Sequence, residues 1–113
     1  MSLNIKRVYV PPGREDGYRV LVDRVWPRGV SKAKACVDEW LKEIGPSTEL
    51  RKWFNHEDEK WAEFQTRYRA ELDHNSEVPA LRDIVRERDV VTLIYSAHSE
   101  LENQAVVLRD YLG

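Results

Sequence analysis

The run Val20-Leu21-Val22 constrains this chain more than any other feature, because it passes without a spacer into Asp23-Arg24-Val25-Trp26-Pro27-Arg28-Gly29. Consecutive apolar residues in a strand put side chains on both faces of a sheet, so both faces need cover. That is the situation of parallel sheets in α/β folds. Pro27 and Gly29 then stop the strand. A buried strand that ends in an aspartate, two arginines and a tryptophan places polar groups at the rim of a core. In open parallel sheets, ligands sit in the crevice outside the carboxyl ends of the strands.

The rest of the chain supplies partners for such a strand. Residues 5–10 read as a first strand closed by Pro11-Pro12-Gly13, residues 19–25 as a second, and Val90-Val-Thr-Leu-Ile-Tyr95 as a third. Between the second and third, helical spacing takes over. Val37, Trp40, Leu41 and Ile44 share one stripe, closed by Gly45-Pro46. Ser47 caps a short helix carrying Leu50, Trp53 and Phe54. Asn55 caps the longest helix, with Trp61, Phe64, Tyr68 and Leu72 on its apolar face. Asn75 or Ser76 starts a further helix containing Leu81, Ile84 and Val85. Ser99-Glu-Leu-Glu102 reads as a capping box for a last helix with Leu101, Ala105, Leu108 and Leu112 inward. The expected fold class is α/β: a small, mainly parallel sheet of about three strands with helices packed around it. A long helical crossover over 33–88 joins strands two and three.

Composition narrows the function classes. A chain of 113 residues, 42% hydrophobic and 34% charged, reads as one globular domain over 1–113. A net charge of −2 and a pI near 5.9 make nucleic acid an unfavoured partner. No apolar run reaches 18 residues and no signal-peptide pattern is present, so the expectation is a cytoplasmic protein without a membrane partner. Cys36 is the single cysteine, which excludes an intramolecular disulfide; beside an apolar helix face it reads as a buried structural thiol. His56, His74 and His98 lack ligand spacing, so no metal and no cofactor is expected.

Several segments together resemble a known family. Lys6-Arg-Val-Tyr9, Gly17-Tyr-Arg-Val-Leu-Val-Asp-Arg-Val-Trp-Pro-Arg-Gly29, Pro46-Ser-Thr-Glu-Leu-Arg-Lys-Trp-Phe54, Arg67-Tyr68, Leu93-Ile-Tyr-Ser-Ala97 and Asn103-Gln-Ala105 are similar to the short, YeaO-like branch of the DUF488 family. The resemblance covers nearly the whole chain in order and spacing. It implies a small bacterial or archaeal α/β protein of unknown biochemical role. Longer relatives carry a cysteine near the end of the last strand and a Cys-His-Arg in the following helix. Here those places fall at Tyr95 and near Asn103-Gln104-Ala105, so no thiol chemistry carries over. Short relatives often show His where this chain has Gln104.

The candidate ligand-binding residues are Asp23, Arg24, Trp26, Arg28, Ser96 and Asn103. In a parallel sheet the ends of strands two and three lie on one edge, and the N-terminus of the last helix points there too. Arginines beside a helix start suit phosphate or carboxylate. The competing reading makes Asp23 a structural ion-pair partner of Arg7 or Arg28, and Trp26 a core plug. Ser96 lacks a Gly-x-Ser-x-Gly elbow and an assignable third partner, so a nucleophilic role has little support. His98 reads as an exposed turn residue. Of Trp53 and Phe54, adjacent on a helix, one is expected to be exposed at a lid or interface. The function expected is binding of a small anion of phosphate, nucleotide or carboxylate class at the strand ends, with catalysis left open. The alternative is a non-enzymatic interaction or regulatory module. A homodimer is compatible with either.

Overall fold

The computed structural model describes residues 2–113. Its sheet has four strands, all parallel: β1 (Ser2–Arg7), β2 (Tyr18–Leu21), β3 (Glu39–Trp40) and β4 (Val90–Tyr95), in the spatial order β1-β4-β2-β3. Five helices pack around it: α1 (Lys32–Ala35), α2 (Thr48–Phe54), α3 (Trp61–Leu72), α4 (Val78–Glu87) and α5 (Gln104–Leu112). The expected α/β class and parallel sheet hold, with one strand more than the sequence suggested. No helix among the described residues is long and apolar enough to cross a membrane.

β4 sits inside the sheet, and five of its six residues are buried. Ile5, Leu93 and Val20 stand in one row across three strands. The sheet has unequal sides. Val20, Val22, Val91, Leu93 and Tyr95 face a large core built with α2, α3, α4 and α5. Leu21 and Ile94 face a smaller one with Val8 and Ala35, roofed by Trp26, Val30 and Val37. The continuous apolar run therefore does bury both faces of β2.

Four expectations fail. The stripe Val37-Trp40-Leu41-Ile44 is not a helix. Glu39–Trp40 pairs with Val20–Leu21, and the flanking Asp38 and Leu41 amides donate to the Arg19 and Leu21 carbonyls at 2.8 and 3.0 Å. A free sheet edge supplied partners that outweigh a short helical pattern. Asn55 ends α2 in a left-handed conformation (φ 45°) instead of starting α3. Ser99 accepts from the Leu101 and Glu102 amides in a turn, while Asn103 caps α5 through the Ala105 and Val106 amides. Leu101 is 80% exposed, not inward. Cys36 is also exposed, at the left-handed end of α1.

The polar turn 14–18 hides a buried ion pair. Asp16 and Arg19 are each 4% exposed, and Arg19 Nη1 lies 2.5 Å from Asp16 Oδ2. Arg19 also donates to the Ala35 and Cys36 carbonyls at 2.8 and 3.0 Å, so it closes the C-terminus of α1 against the sheet. Lys6 from β1 reaches Asp16 at 3.0 Å, and Thr92 of β4 donates to its carbonyl at 2.6 Å. Gly17 (φ +64°) lets this turn pass the Val90 carbonyl, which a Cβ would meet at 2.3 Å.

Burial alone would raise the Asp16 pKa. The Gly13 amide and the Lys6 and Arg19 side chains outweigh burial and hold it below the ordinary value of 3.8. Asp16→Ala leaves the guanidinium buried without its counter-charge, an expected loss of about 3–5 kcal/mol. Each kcal/mol lowers the melting temperature by roughly 4 °C. Because the folded-state pKa is depressed, this contribution is present above 3.8 and lost as pH falls through the lower folded value. Calorimetry of the variant and the parent across pH 3–7 checks both, and equal melting temperatures at neutral pH would refute the assignment.

Candidate functional site

β2 and β4 are neighbours, yet the chain leaves them on opposite sides of the sheet. After β2 it runs to α1, whose Ala35 belongs to the smaller core; after β4 it turns into α5, whose Ala105, Val107 and Leu108 belong to the larger. Adjacent parallel strands with diverging exits leave a crevice beyond their carboxyl ends. Here that crevice is a cavity of about 890 Å³, of the size that takes small organic ligands. It is walled by residues 23–28 after β2, by 96–99 and 102–104 after β4, and by α2.

All six residues singled out from sequence border this cavity: Asp23, Arg24, Trp26, Arg28, Ser96 and Asn103. They are not equivalent. Arg24 is tied to the main chain, donating from Nε to Pro46 O at 2.9 Å and from Nη2 to Gly45 O at 2.8 Å, with Glu43 at 3.2 Å. Trp26 donates to Val30 O at 2.6 Å and meets Trp40 edge-on at 5.3 Å between centroids, so its ring is both core roof and cavity wall. Asn103 is spent on capping α5, and its Nδ2 donates to Ser99 O at 2.8 Å. Two of the α5 amides are thereby taken.

Asp23 is 6% exposed and is paired with neither Arg7 nor Arg28. Arg7 Nε is turned to Ala97 O at 2.8 Å. Gln104 Nε2 donates to Asp23 Oδ1, while buried Oδ2 has no hydrogen-bond partner. Burial pushes the Asp23 carboxyl above its ordinary value of 3.8. The nearby Ser96 hydroxyl and amide, Gln104 and the Arg51 charge work against burial without overcoming it. An unpaired buried carboxylate oxygen beside a cavity is costly to the fold.

The cations at the mouth are free. Arg28, Arg51 and Lys52 are exposed, border the cavity, and form no salt bridge among the described residues. Arg51 and Lys52 escaped the sequence reading, although a signal existed. With Leu50 and Phe54 inward, Thr48, Arg51, Lys52 and Asn55 fall on the adjoining face of α2. Phe54 and Phe64 add apolar wall, and stack on each other at 4.4 Å. Trp53 is not a bare lid residue: Lys60 and Arg67 lie over its ring at 5.1 and 4.3 Å. His56 and the exposed His98 also border the cavity, but no hydrogen bond links either to Ser96.

The arrangement can hold an anion at its mouth and a hydrogen-bond donor at its floor. Tyr95 is 1% exposed and packed in the larger core, and Gln104 is engaged by Asp23.

A family model described as "Inactive DUF488-N3 subclade" matches residues 2–113. "Uncharacterized protein YeaO" of Escherichia coli (strain K12) is 50% identical over 113 residues, covering 99% of this chain and 97% of the relative. "Uncharacterized protein Rv3073c" of Mycobacterium tuberculosis (strain ATCC 25618 / H37Rv) is 38% identical over 111 residues, covering 98% and 93%. No solved structure matches the chain. On the whole-length family match and these identities, the chain belongs to the inactive DUF488-N3 subclade.

Proposed function

We propose that this chain is a non-catalytic binding domain for a small organic anion, of phosphate, nucleotide or carboxylate class, at the carboxyl ends of β2 and β4. The observation that carries the reading is the group of unpaired cations, Arg28, Arg51 and Lys52, around one cavity. Cations that serve only solubility have no reason to converge on a concave site, whereas arginines there suit the geometry of phosphate and carboxylate. Two observations support binding without turnover. The subclade is described as inactive, and among the described residues no hydrogen bond joins Ser96 to His56 or His98, which border the same cavity. The lone exposed Cys36 suits a reducing cytoplasm.

A second reading has its own observation. Val25 and Leu101, 61% and 80% exposed, stand on the two loops that form the cavity. Together they suit an interaction surface of a regulatory module.

A thermal-shift screen against phosphate, sulfate, nucleotides, sugar phosphates and carboxylates separates the two. A ligand at one hundred times its Kd stabilises the folded state by about 2.7 kcal/mol, roughly 10 °C here. Arg28→Ala and Arg51→Ala are expected to abolish the shift while leaving the unliganded melting temperature within about 2 °C, as for exposed sites without partners. Arg24→Ala, which strips two main-chain carbonyls of a donor, is expected to lower it instead by about 1–3 kcal/mol. No shift with any anion would favour the interaction module.

Asp23 gives an independent check. A carboxylate kept for a ligand and not for the fold should be replaceable with a gain in stability. Asp23→Asn keeps an acceptor for Gln104 and removes the buried charge, so a rise of about 1–2 kcal/mol is expected at pH 7. The folded-state pKa is raised, so the parent loses stability as pH climbs from 3.8 to that value, and the gain should vanish below 3.8. A variant that melts below the parent at pH 7 would make Asp23 structural.

A further inference from the structure

We infer that the carboxyl edge of the sheet docks a partner protein through a short acidic segment. An aspartate or glutamate of that segment enters the mouth of the cavity, and its apolar neighbours cover the exposed side chains around it. This inference rests on the reading of Arg28, Arg51 and Lys52 as an anion site and names what bears the anion.

The placement of the exposed apolar side chains carries it. Among the described residues the exposed large hydrophobics are Tyr9, Val10, Val25, Trp40 and Leu101. Tyr9 and Val10 follow β1, Val25 follows β2, Trp40 ends β3 and Leu101 follows β4. Because all four strands are parallel, these positions share one edge of the sheet. Single exposed hydrophobics are ordinary on a protein surface, but five collected at one edge mark a contact surface. All but Val25 lie outside the lining of the cavity, so a small ligand seated there leaves them uncovered. A protein segment crossing the mouth reaches both.

These side chains are fixed to the walls of the site. Tyr9 donates from its hydroxyl to Arg28 O at 3.0 Å, and Trp40 donates from Nε1 to Asp23 O at 2.7 Å while meeting Trp26 edge-on. Leu101 stands on the loop after β4 that forms another wall. The sign of the partner follows from charge. Arg28, Arg51 and Lys52 lack salt bridges, and Lys42, over the Trp40 ring at 5.7 Å, lacks one too. Apart from the buried Asp23, Glu102 is the one carboxylate of the lining. Aromatic side chains and arginine with few acids are the composition of an interface centre. A second copy docked about a two-fold axis would set these cations against their own equivalents. A flat lipid surface would meet the exposed side chains but not the concave mouth between them.

Selection of a displayed random peptide library on the immobilised full chain tests this, followed by titration of the selected peptides and of inorganic phosphate. Peptides that join Asp or Glu to neighbouring apolar side chains are expected to be enriched. Arg51→Ala should weaken them about tenfold, the worth of one charge-assisted hydrogen bond, and Leu101→Ser about fivefold, the worth of one covered apolar anchor. Leu101→Ser should leave phosphate binding unchanged, because Leu101 is outside the cavity lining. No enrichment, enriched peptides without an acidic residue, or peptide affinity that survives Leu101→Ser would overturn this inference. Phosphate binding weakened by Arg51→Ala would in that case leave the anion site standing, and its absence would overturn both. A dimer in sedimentation equilibrium that Leu101→Ser dissociates would give the surface to a second copy. Pelleting with phosphatidylglycerol vesicles that Leu101→Ser abolishes would give it to a lipid surface. Either result overturns the partner protein.

Discussion

The site depends on one piece of backbone, the parallel pairing of β2 with β4. Its last rung is the Val22 amide donating to the Ile94 carbonyl at 3.0 Å. Beyond that rung the two chains separate, one toward the smaller core and one toward the larger. The crevice is thus a consequence of topology and would exist with other residues in it. What this sequence adds is its choice of side chains: Asp23 follows Val22 at once, and Ser96 follows Tyr95 at once. Register places these two beside each other, because Leu21 is paired with Ile94. A one-residue slip in β2 would exchange Val20 and Val22 for Leu21 between the two cores. The apolar run that specifies the fold therefore also fixes where the polar cluster lands.

Two buried aspartates show how the same side chain is used in opposite ways. Asp16 meets Arg19, Lys6 and the Gly13 amide, and its pKa is held down. It joins β1, β2 and, through Arg19, the end of α1. Asp23 meets the Gln104 amide and the Ser96 hydroxyl and amide, and burial still pushes its pKa up. Both residues are almost fully covered, so burial does not distinguish them. The partners do. Removing the counter-charge of a buried ion costs several times what an exposed pair is worth, so the Asp16 pair ties the sheet to its flanking elements. Asp23 contributes no comparable tie. Its partners are neutral, so they orient the carboxylate without offsetting the cost of burying its charge.

Much of this was legible in the sequence where the signal is local and repeated. The strand at 90–95, the Ser47 cap and the stripe Phe64-Tyr68-Leu72 all lie in segments whose own period or cap decides the outcome, while the strand expected over 19–25 forms but ends at Leu21. The six site candidates followed from strand ends plus topology, and they do share one cavity. The failures share a different cause: a long-range partner outweighed a local pattern. Glu39–Trp40 became a strand because Val20–Leu21 offered an edge. The Ser99 box lost to Asn103, whose side chain reaches two amides of α5 from a buried position. Asp16 reads as turn polarity and Arg19 as the start of a strand, since nothing within three residues reveals that the α1 carbonyls lie beside Arg19. Arg24 and Arg28 are indistinguishable in sequence. Only the carbonyls of Gly45 and Pro46, some twenty residues away, make the first a structural group and leave the second free.

Membership of an inactive subclade sharpens the meaning of what the cavity retains. The resemblance implies a cysteine near the end of the last strand in longer relatives, and this chain has Tyr95 there, packed into the core with 1% of its surface exposed. Where the resemblance implies a polar, reactive helix start, Gln104 supplies an amide with no useful acidity or basicity at neutral pH. A pocket without any role would be free to fill its floor with an apolar side chain, which would end the cost of an unsatisfied carboxylate. Asp23 stands there instead, and Gln104 donates to it. Positional binding and catalysis use separable groups, the first drawing on fixed charges and hydrogen bonds, the second on a titrating or nucleophilic centre. Here the fixed groups, Arg28, Arg51, Lys52 and Asp23, border the same space as Ser96, His56 and His98.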